Sequence, residues 1–147
     1  MSPLSIALNL LWIVLGGLAM AIAWVIAGLI LAVTIIGLPW TRAAFVLAAY
    51  HLAPFGRTII RRDRIDGAPT LGTGPFGFIG NVIWLVLAGW WLALAHLAIA
   101  VPYAISIIGL PFAWAHLKLA GAALCPIGMT IVPTDDPLPQ PYRQGRR

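Results

Sequence analysis

Two stretches of this chain carry no formal charge: no Asp, Glu, Lys or Arg occurs from Met1 through Thr41, and none from Gly67 through Leu117. Each exceeds the roughly 20 apolar residues needed to cross a hydrocarbon core of about 30 Å. A water-soluble fold cannot hide that much apolar surface. Of all residues 61% are hydrophobic and 9% charged, against about 45–50% and about 25% in ordinary globular chains. The expected class is therefore an all-α integral membrane protein with two embedded regions. The first region runs on well past the small-residue run Ala19-Met20-Ala21 and has no basic segment before it, so it reads as part of the mature protein rather than a removable signal.

A second constraint is the likeness of the chain to itself. Sliding the sequence by 72 residues aligns 9–60 with 81–132 without a gap, and 21 of the 52 pairs are identical. Apolar bias would match scattered Ala and Leu, but the identities include scarcer residues: Asn9 with Asn81, Trp12 with Trp84, Gly17 with Gly89, Pro39 with Pro111, Pro54 with Pro126 and Gly56 with Gly128. The chain is an internal duplication. Four segments follow: a first membrane repeat over 1–56, a basic linker over 57–75, a second membrane repeat over 76–132 and a Pro-rich basic tail over 133–147.

Each copy reads as Asn-x-x-Trp, a long apolar stretch, the break Ile-Ile-Gly-Leu-Pro, a shorter apolar stretch and Pro-x-Gly. Gly can end one helix, and Pro can start the next, because a first-turn position does not use the N–H that Pro lacks. This punctuation predicts helices near 4–36, 39–53, 76–108 and 111–125. After each Pro-x-Gly comes a β-branched run, Thr58-Ile59-Ile60 and Thr130-Ile131-Val132; symmetry allows the two to pair as a small two-stranded element outside the membrane, a flexible linker being the alternative. The tail, with Pro137, Pro139 and Pro141, reads as extended or disordered.

With these landmarks the chain resembles the YccF family of small bacterial inner-membrane proteins, whose repeated unit is called the inner membrane component domain. The second copy carries the closer likeness, in Asn81-Val82-Ile83-Trp84, Gly89-Trp90-Trp91, 106–112 (Ser-Ile-Ile-Gly-Leu-Pro-Phe), Lys118-Leu119-Ala120 and Pro126-Ile127-Gly128. The first departs from it, with Val46 at the position of Lys118 and Arg42 one turn earlier. The resemblance implies a bacterial plasma-membrane location and brings no catalytic or binding residues with it.

The net charge of +5 is carried beside the membrane segments. Arg57, Arg61, Arg62 and Arg64 crowd the linker, while Arg143, Arg146 and Arg147 end the tail, which reads as cytoplasmic connections rather than a nucleic-acid surface. Cys125 is alone, so one chain supplies neither a disulfide nor a thiolate cluster, and it reads as apolar filler. The four acids, Asp63, Asp66, Asp135 and Asp136, lie outside the apolar regions, and Ser2, Ser5 and Ser106 form no nucleophile elbow. No enzyme activity and no cofactor are expected.

The candidate site residues fall in two groups. Asn9 and Asn81 near the starts of the long helices, together with the breaks Thr34, Gly37, Pro39 and Ser106, Gly109, Pro111, are candidates for packing or for a solute pathway, since broken helices at matched points of two repeats present free backbone groups to a solute. Arg42, His96, His116 and Lys118, with His51, are the ionisable residues in or beside the apolar segments, where such groups need a partner or a wet cavity. The histidines lack metal-ligand spacing. Two functions compete: a channel or transporter subunit acting as a homo-oligomer in the lipid bilayer, favoured by the duplicated broken helix, and a non-transporting structural or regulatory membrane component that binds a partner protein. Linker and tail on one side would require each short helix to return across the membrane or dip into it. A short helix lying on the surface would instead leave them on opposite sides.

Overall fold

The computed structural model describes residues 2–68 and 72–135. Its first long helix, α1, runs Pro3–Val33, and its counterpart in the second repeat, α4, runs Pro75–Ala104; both are long and apolar enough to cross a membrane. Ser2 caps α1 by accepting the Ser5 N–H at 3.1 Å, with Pro3 in the first turn. The short helices are α2, Thr41–Tyr50, and α5, Leu110–Leu124. Two strands, β1 (Arg57–Arg61) and β2 (Met129–Pro133), and the single-turn helix α3 (Asp63–Asp66) complete the described chain.

The long helices stop at Val33 and Ala104, a few residues before the expected 36 and 108, because hydroxyls intervene. Thr34 Oγ1 donates to Leu31 O at 2.6 Å and accepts the Gly37 N–H at 3.1 Å, while Ser106 Oγ accepts the Gly109 N–H at 2.9 Å. A side chain that takes up a turn's backbone groups competes with the helix and ends it. Ile35 sits in the left-handed region at φ 61°, which a β-branched residue tolerates only where the turn holds it.

Both long helices widen at matching points, Ile13–Gly17 and Leu85–Gly89, into a five-residue π-turn. In α1 the chain departs from helical geometry at Gly16, φ 133°, a conformation that other residues rarely adopt. Next to it, a Cβ on Gly17 would lie 2.2 Å from Trp12 Nε1, and one on Gly89 3.0 Å from Trp84 Cδ1. The repeated Trp and Gly are thus one device: the glycine makes room for the indole of the preceding turn.

The strands pair antiparallel, as their symmetry suggested, with Ile59 opposite Ile131 and Thr58 opposite Val132. Ile131 is the repeat equivalent of Ile59. A residue paired with its own equivalent marks a local two-fold axis, perpendicular to an antiparallel ribbon at that pair. The long helices obey the same axis and run antiparallel. The Tyr103 hydroxyl, near the end of α4, donates to Leu15 O near the start of α1, and the ring of Trp24 in the second half of α1 stacks on Trp84 in the first half of α4 at 5.1 Å.

Each short helix folds back on its own long helix, forming a hairpin, but the two hairpins point in opposite senses along the ribbon. At one end Ser2, Ser5, Gly56, Thr134 and Asp135 border a common cavity. At the other the Arg62 N–H donates to Gly128 O at 2.8 Å and the Trp40 ring packs tilted against Phe76 at 4.6 Å. The linker and the approach to the tail therefore leave from opposite ends of the ribbon, which differs from two hairpins entering in one common sense; antiparallel strand pairing enforces it. The tail with Arg143, Arg146 and Arg147 lies outside the described residues, as does Asp136. Cys125 is exposed and does not fill the core.

Candidate functional site: a buried histidine row between the repeats

The copies meet on an aromatic core of Trp12, Trp24 and Trp84, each 1% exposed or less, closed by Leu31, Leu92 and Leu119. Equivalent clamps hold each hairpin shut. Asn9 Nδ2 donates to Phe55 O at 3.0 Å and Asn9 Oδ1 accepts the Phe55 N–H at 2.9 Å; Asn81 makes the same pair with Ile127 at 3.1 and 3.0 Å. Trp12 Nε1 donates to His51 O at 2.6 Å, and Trp84 Nε1 to Ala123 O at 2.7 Å. These bonds tie the start of each long helix to the Pro-x-Gly corner of its own repeat, so both asparagines pack within a repeat and neither caps a helix nor crosses the interface.

Into this core fold three histidines that are far apart in sequence and fully buried: His51 on α2's C-terminal turn, His96 on α4 and His116 on α5. His51 Nε2 lies 3.0 Å from His96 Nε2, and His96 Nδ1 lies 2.9 Å from His116 Nδ1. The tautomers follow from one fixed point. His51 Nδ1 is 2.6 Å from Leu47 O, which can only accept. For neutral rings, His51 therefore accepts through Nε2 from His96 Nε2–H, and His96 accepts through Nδ1 from His116 Nδ1–H. That leaves His116 Nε2 as a buried acceptor without a partner. It faces Gly16, where an added Cβ would lie 3.7 Å away, and its ring is held between Trp12 at 4.5 Å and Tyr103, stacked at 6.0 Å.

Chemically the row is a tie with a closed end. Passing a proton along it would reverse each tautomer in turn and leave His51 to release its Nδ1 proton onto an amide carbonyl, which does not keep one. The spacing of the histidines in sequence concealed this cluster. A signal was present in the duplication, where His51, His96 and His116 stand opposite Ala123, Trp24 and Ala44. Tyr103, opposite Leu31, joins the seam as well; its hydroxyl donates to Leu15 O beside the π-turn.

The remaining candidates sit elsewhere. Thr34, Gly37, Ser106 and Gly109 form the self-bonded breaks, whose neighbours Ile35, Ile107 and Ile108 are 74–87% exposed. Pro39 and Arg42 line one groove against β2, and Pro111 and Lys118 line another against β1, where Lys118 Nζ donates to Thr58 Oγ1 at 3.2 Å. Among the described residues the charged groups all lie on the ribbon, against it or just beyond its ends: Arg57 and Arg61 on β1, Arg62, Asp63, Arg64 and Asp66 after it, Asp135 after β2, and Arg42 and Lys118 alongside. Arg61 and Asp63 form an exposed ion pair at 2.9 Å. The hydrogen bond from the guanidinium holds the Asp63 carboxyl below its ordinary range and raises Arg61.

A duplicated apolar helical hairpin, closed by an antiparallel ribbon that gathers the charge, defines a class of small two-repeat proteins with helices of membrane-spanning length. The profile of the inner membrane component domain matches this chain twice, over residues 7–57 and 79–129, and the chain belongs to the YccF family. It is 40% identical over 128 residues, 85% of either chain, to the inner membrane protein YccF of Escherichia coli (strain K12), and equally to that of Shigella flexneri. No solved structure matches it.

Proposed function

We propose that this chain is a non-transporting integral component of the bacterial inner membrane, seated with its charged ribbon at the cytoplasmic surface and its apolar hairpins in the lipid. The observation that carries the first part is the filled centre. The place where two repeats of a transporter would enclose a substrate holds Trp12, Trp24, Trp84 and the histidine row, all fully buried and in mutual contact. The helix breaks, which favoured a channel or transporter subunit, spend their N–H groups on Thr34 and Ser106. No catalytic step belongs to the proposal.

Charge supports the orientation. Among the described residues every charged group lies on the ribbon, against it or just beyond its ends, and Arg57, Arg61, Arg62 and Arg64 favour the cytoplasmic side. Within the hydrocarbon each arginine would cost about 2.5–3.5 kcal/mol. The exposed Ile35, Ile107 and Ile108 contact lipid. Linker and tail share the cytoplasmic side although they leave from opposite ends of the ribbon.

Two measurements test this. Vesicles reconstituted with the protein should show no more ion or small-solute flux than protein-free vesicles, and flux abolished by Trp24→Ala or His96→Leu would restore the transport reading. Single cysteines at Arg62 and Asp135, in a Cys125→Ala background, should both resist an impermeant thiol reagent applied to intact cells; labelling of either one removes the proposed orientation.

A further inference from the structure

The duplication builds one niche twice: the start of each short helix lies against the corner and strand of the other repeat. The first niche, framed by Pro111, Trp114 and Lys118 with Phe55, Gly56 and Arg57, encloses about 160 Å³. The second, framed by Pro39, Trp40 and Arg42 with Arg62, Gly128 and Met129, encloses about 510 Å³, within the roughly 300–1,000 Å³ typical of small-ligand sites. The substitutions between them are specific. Arg42 stands where the other copy has Trp114, and Arg62 where it has Thr134. The smaller niche carries its own cations, Arg57 and Lys118, where the larger has Met129 and Val46, so the two niches hold their charge at different positions.

No acidic side chain lines this groove. Arg42 is exposed and has no hydrogen bond or ion pair among the described residues. Arg62 commits only Nη2, to Met129 O at 3.4 Å. Two uncompensated cations in one groove repel each other until an anion enters, and guanidinium forks match the oxygens of a phosphate. Lys118 in the smaller niche is by contrast already committed to Thr58.

We infer that the Arg42–Arg62 groove binds the phosphate of an anionic phospholipid headgroup. A lipid fits better than a soluble phosphate because exposed Leu38 adjoins Pro39 at the rim, giving the acyl chains an apolar path, and because basic pockets at the cytoplasmic surface attract anionic lipid. The inference rests on the membrane placement proposed above.

The test is titration of the detergent-solubilised protein with short-chain phosphatidylglycerol, with short-chain phosphatidylcholine and glycerol phosphate in parallel. Phosphatidylglycerol should bind at least ten-fold more tightly than either. Arg42→Gln and Arg62→Gln should each weaken it about five-fold, Arg42→Lys should weaken it less, and Lys118→Gln should leave it unchanged. Equal affinity for the three ligands, indifference to both arginine substitutions, or an equal loss in Lys118→Gln would overturn the inference; glycerol phosphate binding as tightly as the lipid would assign the groove to a soluble phosphate. Thermal unfolding of each variant separates loss of binding from loss of fold, with Arg42→Lys serving where Arg42→Gln does not fold. A chain found in the soluble fraction of cells would defeat the membrane placement itself, whereas a membrane-bound chain without lipid preference defeats only this inference.

Discussion

The two repeats agree where they hold themselves together and differ where they meet. Within each copy the same asparagine clamps the same corner, and the same indole bonds the carbonyl ending the short helix, at distances that differ by 0.1 Å. At the shared seam the copies diverge: His51 of the first copy aligns with Ala123 of the second, while His96 and His116 of the second align with Trp24 and Ala44 of the first. A duplicated unit needs its internal clamp in both copies, since each hairpin must close by itself. The seam is formed once, by both copies together, so one polar row and one complementary aromatic surface suffice. The grooves beside the ribbon repeat the lesson, one carrying Arg42 and Arg62 and the other Arg57 and a Lys118 bonded to Thr58.

The comparison breaks most visibly at the indoles. Trp12→Ala and Trp84→Ala should each cost about 3–5 kcal/mol, read by thermal unfolding in detergent. Trp12 should be the worse loss because its ring also packs on Phe55, Phe112 and His116; equal losses would mean that the seam adds nothing to the clamp. Next comes the row itself. His96→Leu removes the middle ring and leaves His51 Nε2 and His116 Nδ1 without partners, at about 1–3 kcal/mol for each group stranded, whereas Trp24→Phe at the equivalent position strands nothing, its Nε1 being unpaired already. Comparable losses in these two variants would mean that the row's hydrogen bonds add nothing to the seam.

The π-turns sharpen the contrast further. Gly16→Ala should cost about 1–3 kcal/mol because of its positive φ, while the reciprocal Ala88→Gly, in a π-turn that keeps φ negative, should cost about 0.5–1 kcal/mol; the same unfolding assay ranks them. The clamps should be equal: Asn9→Ala and Asn81→Ala should each lose about 1–2 kcal/mol for two hydrogen bonds, and a clear inequality would show that the repeats are less alike than their bonds. The smallest effect belongs to Asp63→Asn, which removes the exposed pair with Arg61 and should shift stability by less than about 0.5 kcal/mol at neutral pH. Since the Asp63 carboxyl is depressed in the folded state, that contribution is present above its unfolded range and is lost as pH falls through the folded value, so acidification should erase the difference between variant and parent.

Much of this was legible in the sequence, for identifiable reasons. Charge-free runs longer than a bilayer, a gapless 72-residue self-alignment and Gly-Leu-Pro breaks are local or periodic signals, and they determined helical class, duplication and approximate boundaries. Symmetry allowed the pairing of β1 with β2 without requiring it, a flexible linker being the alternative. What the sequence left open depended on how one copy turns against the other. A two-fold axis preserves every contact inside a repeat whichever way the copies face, so no intrarepeat pattern could show that the long helices run antiparallel, or that residues 51, 96 and 116 converge. Tertiary structure decided those points, through an antiparallel ribbon that pairs Ile59 with Ile131 and thereby fixes which side chains the two halves bury together.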